Sequence, residues 1–118
     1  MAINASFRTF VVEQLGRVLR QVRARSMFGG VGIYAGNLFF ALIANDTLYF
    51  KVDDSNRRDY EAQGMGPFRP YGDDGEVMQY YEVPHELLED PEALRPWAEK
   101  ALAVAERKKV KRSRRGGA

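Results

Sequence analysis

The side chains that could do chemistry are few and scattered. His85 is the single histidine, and cysteine is absent. Without a second imidazole or any thiolate, His85 and its neighbour Glu86 cannot complete a metal site, and neither a disulfide nor a cysteine nucleophile is available. Asp53 and Asp54 invite reading as ligands or acid catalysts. They lie with Ser55 and Asn56 where a helix should begin, and there acids satisfy free N–H groups and complement the helix dipole. Asp73-Asp74-Gly75-Glu76 lacks the alternating ligands and the terminal Glu spacing of a calcium loop, so it reads as a solvated turn. Gly29-Gly30-Val31-Gly32 is not a phosphate loop: no Lys-Ser/Thr follows, and an apolar strand stands where a helix N-terminus is required. No nucleophile is paired with a base. The expectation is a protein that is not an enzyme, with no cofactor and no metal.

The elements that would position these residues centre on Met27 to Val52. Three apolar runs there are parted by Ala35-Gly36-Asn37 and Ala44-Asn45-Asp46. Gly and Asn accept the positive φ of tight reversals, so the stretch predicts a three-strand antiparallel meander. The first strand is expected to start near Val22 and to hold Gly29, Gly30 and Gly32 inside it. Glycines in a strand mark a bulge or a close backbone approach. Before it, Phe7, Phe10, Val11, Leu15, Val18, Leu19 and Val22 recur at helical spacing, which predicts a helix over about Ser6 to Leu19 with Ser6 as N-cap.

After the meander a short helix is expected from about Asn56 to Gln63, stopped by Gly64. Pro67 and Pro70 restrict any strand there to a short edge piece. Glu76 to Val83 alternates as a last strand, ended by Pro84. Asp90-Pro91-Glu92 starts a final helix whose face is Leu94, Trp97, Ala98, Ala101, Leu102 and Ala105. Pro96 within it predicts a kink or a separate first turn.

The chain has 118 residues, 45% of them hydrophobic, enough for one domain and one core. No apolar run reaches membrane-spanning length, and the N-terminus lacks the basic-then-apolar layout of a signal peptide. The expected compartment is the cytoplasm, with no membrane partner. The net charge of +2 conceals a division. Residues 107–115 hold seven cations: Arg107, Lys108, Lys109, Lys111, Arg112, Arg114 and Arg115. The remaining eleven basic residues meet sixteen acids, a net of −5 for the body. The domain is therefore expected over residues 1–106, followed by a basic tail at 107–118 that is disordered beyond about residue 110 when unbound.

Several words in this order resemble the TfoX/Sxy N-terminal domain family. They are Arg25-Ser26-Met27-Phe28-Gly29-Gly30-Val31-Gly32-Ile33-Tyr34, then Leu48-Tyr49-Phe50-Lys51-Val52-Asp53-Asp54, Gly66-Pro67-Phe68 and Tyr80-Tyr81-Glu82-Val83-Pro84. The likeness covers Phe7 to Arg107. It implies an α+β fold of order α-β(3)-α-β(2)-α, with helices packed on a five-stranded antiparallel sheet and a shape like secretion-chaperone domains. It also implies a bacterial regulator of natural competence that acts as a coactivator beside a cyclic-AMP receptor protein at promoters. In the full-length regulator a second, C-terminal helical domain follows, and the resemblance implies that these residues correspond to the first domain.

Two functions follow. One is a non-catalytic regulatory domain that contacts proteins of the transcription machinery and touches nucleic acid, without reading sequence, through the seven tail cations. Arg17, Arg20 and Arg23 would extend that basic surface if the first helix reaches them; the plainer reading is a solvated face and a solubilising tail. The alternative is a protein-interaction or homodimerising module with no nucleic-acid role. Phe68 and Tyr71, stiffened by Pro67 and Pro70, suit a contact surface, since rigid aromatics lose little entropy on binding. They would serve equally to close the core.

Overall fold

The computed structural model describes residues 5–27, 29–69 and 79–116. The chain opens with helix α1 (Ala5–Gly16) and continues into strands β1 (Val22–Met27), β2 (Gly30–Ala35), β3 (Leu38–Ala44) and β4 (Thr47–Lys51). Helix α2 (Arg57–Ala62), strand β5 (Tyr80–Glu82), the short helix α3 (His85–Leu88) and the long helix α4 (Pro91–Gly116) complete it. The five strands form one antiparallel sheet in chain order. This is the expected α+β arrangement of helices on a five-stranded antiparallel sheet.

The strands are distributed differently from the expectation. Four precede α2 and, among the described residues, one follows it. The run expected as one long strand from Val22 is two, folded back so that Met27 pairs with Gly30. Gly29 has φ of +78° in the two-residue link, a conformation that costs glycine little. The bulge lies elsewhere: Ile33 pairs with Ala41 and Tyr34 with Phe39, leaving Phe40 as the extra residue of β3. Gly30 fulfils the close-approach reading, since a Cβ there would stand 2.7 Å from the carbonyl oxygen of Ile43. Asn45 and Asp46, with φ of 52° and 56°, close the β3–β4 hairpin, and Gly36, at 60°, serves β2–β3.

Helix α1 is shorter than its apolar spacing suggests. It ends at Gly16, and Val18 N and Leu19 N donate back to Leu15 O at 3.1 and 2.9 Å in a closing turn. Val18 is still buried, so helical spacing persisted beyond the helix itself. Ser6 lies inside α1, one residue past its start, and is not its N-cap. Asn56 is the N-cap position of α2, but its side chain turns backwards: Oδ1 accepts from Asp53 N at 2.9 Å and Nδ2 donates to Lys51 O at 3.2 Å. That satisfies two main-chain groups at the end of β4, and Asn56 is buried. Gly64 stops α2 with φ of +73°.

Residues 76–78 of the expected last strand lie outside the described residues. Beyond β5, Pro67 makes a single bridge to Tyr81, the short edge piece that its prolines allow. Asp90 accepts from Ala93 N at the head of α4. The helix then runs through Pro96 as one element, without the separate first turn, and crosses the expected boundary at residue 106. It continues to Gly116 where a tail without structure was expected. Lys and Arg are good helix formers, and extending an existing helix avoids the cost of nucleation.

One cluster forms the core. Val31, Ile33, Ile43, Leu48 and Phe50 line one side of the sheet, beneath Val11 and Leu15 of α1 and Leu94, Ala98 and Ala101 of α4. Each large side chain so buried contributes about 1.5–3 kcal/mol. Helix α4 lies across β3 and β4, and α1 beside β1. Gln14 Nε2 donates to Leu88 O at 2.6 Å, joining α1 to α3.

Candidate interaction face of the sheet

Side chains alternate across a strand, so the register fixes what the other side of the sheet carries. One row runs Arg25, Gly32, Leu42, Tyr49 and Glu82. A second joins Arg23, Tyr34 and Phe39, and a third joins Lys51 and Tyr80. The rings meet: Tyr34 stacks on Phe39 at 5.1 Å between centroids, and Phe39 lies 5.8 Å from Tyr80. Cations cover them. The Arg23 guanidinium is 4.8 Å from the Tyr34 centroid, and Lys51 Nζ is 5.4 Å from Phe39 and 5.6 Å from Tyr80. Gly32 makes room for this layer, because a Cβ there would stand 2.6 Å from Met27 Cε and 3.2 Å from Phe39 Cε1.

Tyr34, Phe39 and Tyr49 are half-buried, and Tyr80 is buried. Burial pushes the Tyr80 hydroxyl above its ordinary range, with Tyr34 adding to the effect. Burial also raises Tyr49, helped by Glu82 and opposed by a hydrogen bond from Thr47. Both phenols therefore stay protonated at neutral pH, polar without being bases. The arrangement can hold an apolar or aromatic group and an anion side by side.

Phe68, expected as a contact residue, belongs to this side: its ring lies 4.8 Å from Tyr49, and it is half-buried. Tyr71 lies outside the described residues. Of the tail cations, Arg107 does not join this face. Arg107 is held by α2's leading loop, where its Nη2 donates to Asp53 Oδ2 at 3.0 Å and to Ser55 Oγ at 2.8 Å. Lys108 and Lys109 are exposed on α4. Lys111, Arg112, Arg114 and Arg115 follow along the same helix.

Asp53 thus closes the turn ahead of α2 and anchors Arg107, but its side chain does not cap the helix as expected. Its Oδ1 accepts from Ser55 N at 2.8 Å, and its carbonyl receives the N–H groups of Asn56 and Arg57. Burial alone would raise its carboxyl, but the bonds from Ser55 and Arg107 outweigh that and hold it below the ordinary value. Asp54 pairs with Arg57. Among the described residues no three His, Asp or Glu side chains gather as a metal group, and no helix is long and apolar enough to cross a membrane. Arg17 and Arg20 lie past the end of α1, and Arg23 is in β1, so they do not extend a helical basic face.

Sequence reasoning singled out Phe68 but not Tyr34, Phe39, Tyr49, Lys51 and Tyr80. A signal was present. Strands with apolar residues in both phases of the alternation have two faces that must be covered or used.

Comparison with curated proteins finds no match. The family model described as the TfoX N-terminal domain matches residues 13–105, from the last turn of α1 through every strand of the sheet to Ala105 of α4. With that much of its length accounted for, this chain belongs to the TfoX N-terminal domain family.

Proposed function

We propose that the chain is a non-catalytic regulatory domain that acts through protein contacts made by the ring-bearing side of its sheet, within the transcription machinery. The observation that carries this reading is the layer of Tyr34, Phe39, Tyr49 and Phe68, half-buried rings interleaved with Arg23 and Lys51. Aromatic and arginine side chains supply most of the affinity in protein interfaces, and pre-packed rings surrender little freedom on docking. The family assignment supports a role beside a promoter-bound regulator.

Nucleic acid is the second contact. It falls to Lys108, Lys109, Lys111, Arg112, Arg114 and Arg115, because Arg107 is engaged with Asp53 and Ser55. A row of cations on a helix leaving the domain favours phosphates without selecting bases.

The test is an amide spectrum of the isotope-labelled chain with a purified cyclic-AMP receptor protein bound to promoter DNA. Tyr34, Phe39 and Tyr49 should broaden, and Tyr49→Ala should weaken the association. Broadening confined to α1 and α4, or none, overturns the reading.

A further inference from the structure

Resting on the reading that the sheet makes the protein contacts, we infer that the outer edge of β1 takes an acidic, extended stretch of a partner polypeptide as an added strand. The two edges of the sheet differ. Beside β5 the edge is filled: Phe68 N donates to Tyr80 O at 2.7 Å, Glu82 N donates to Gly66 O at 3.0 Å, and Pro67 bridges Tyr81. Beside β1, among the described residues, no backbone group other than those of β2 pairs with Val22–Met27. Such an edge offers N–H and C=O groups at strand spacing, the template for strand addition.

Charge selects the occupant. From residue 14 to residue 45 the chain has no acid and carries Arg17, Arg20, Arg23 and Arg25, within a body of net charge −5. Arg23 and Arg25 alternate on β1, and both are exposed. Arg20 precedes them, also exposed, and Arg8 of α1 reaches the far end of the strand, donating to Ser26 Oγ at 3.0 Å. An incoming strand with carboxylates at every second position sets them opposite Arg23 and Arg25. Its intervening residues, if apolar, cover the half-buried Val22 and Ala24.

The same features disfavour other occupants. A second copy paired antiparallel through β1 would set arginines opposite arginines, and like charges directly opposite are destabilising. A phosphate backbone accepts from arginine but has no N–H groups for the carbonyls of the edge.

The full chain, isotope-labelled, is titrated with a short synthetic peptide alternating Glu and Val. Matched probes are a Lys/Val peptide and a thymidine oligonucleotide. The Glu/Val peptide should shift the amides of Val22–Met27, slow their exchange with deuterium, and bind less as salt rises. Arg23→Glu with Arg25→Glu should weaken it roughly tenfold. Arg25→Glu alone, which leaves Arg23 on Tyr34, should weaken it a few-fold. Silent β1 amides, equal binding of the Lys/Val peptide, or binding of the oligonucleotide in place of the Glu/Val peptide overturns the inference. A concentration-dependent dimer of the intact chain that shifts and protects the Val22–Met27 amides also overturns it, by giving the edge to a second copy. If β1 stays silent while Tyr49→Ala still weakens the promoter assembly, the strand-addition inference fails and the functional reading stands. If β1 binds the peptide but Tyr49→Ala changes nothing, the ring-face reading fails instead.

Discussion

Gly30 and Gly32 point to the same side of β2 but meet different neighbours. At Gly30 an added Cβ would sit 2.7 Å from the main-chain oxygen of Ile43, in a strand that cannot retreat without breaking its ladder. At Gly32 it would meet side chains only: the end of Met27, which has rotatable bonds to yield, and the edge of Phe39 at 3.2 Å, which has to give by a few tenths of an ångström. Gly30→Ala should therefore cost about 2–3 kcal/mol and Gly32→Ala about 1 kcal/mol or less, read from urea unfolding of the two variants. Equal costs would show that the strands separate freely at Gly30. Asp53 supplies a second test. Its carboxyl titrates below the ordinary 3.8, so what it adds to stability is complete above that pH and disappears as pH falls through the lowered value. Arg107→Met should move the Asp53 titration upward, followed by carboxyl chemical shift. The stability difference between the two proteins should be constant near neutrality and close in acid. A titration left unmoved would mean that Arg107 does not hold Asp53 in solution.

Elements were legible where local chemistry decided them. Gly36, Asn45 and Asp46 announce their turns because few residues tolerate positive φ. Asp90-Pro91 announces α4 because proline at the first turn forfeits no hydrogen bond. The β1–β2 reversal was hidden by the alternation of Val22, Ala24 and Ser26, which runs straight into Gly29 with no Asn or Asp to mark a turn. The end of α1 was hidden for the opposite reason: Val18 is buried by tertiary contact from a turn, and periodicity does not distinguish a turn from a helix there. Pro96 is a local conflict overridden by packing. Leu94, Ala98 and Ala101 on either side of it are buried in the core, and that burial carries the helix past a residue that removes one hydrogen bond. Because Pro96 itself is exposed, Pro96→Ala should restore the bond to Glu92 O with nothing lost in packing. We expect a gain of about 1 kcal/mol, reduced from the full proline cost by the freer unfolded chain, and visible as a higher melting temperature. A lower one would mean that the helix is shaped by its proline to fit the sheet.

At the scale of the whole molecule, charge is sorted more finely than a body and a tail. The division at residue 107 was plain in the composition. The arginines of β1 and the cations laid over rings were not, because their grouping depends on strand register, which no single stretch of sequence contains. One tail cation also proves to belong to the folded domain: Arg107 bonds to Asp53 and Ser55, more than fifty positions earlier in the chain. This makes the tail separable by two truncations. A chain ending at Arg107 keeps the anchor and loses Lys108, Lys109, Lys111, Arg112, Arg114 and Arg115. A chain ending at Glu106 loses the anchor as well. If phosphate contact resides in those six cations, both truncations should abolish low-salt retention of duplex DNA. The intact chain should show a steep fall in affinity with salt, with a log–log slope of up to about −5 when all six engage. Acid titration should then separate the two, with Asp53 shifted upward only in the chain that ends at Glu106. Duplex retention that survives in both would move the nucleic-acid contact onto the sheet, where Arg23 and Arg25 of β1 and Lys51 of β4 are cations able to make it.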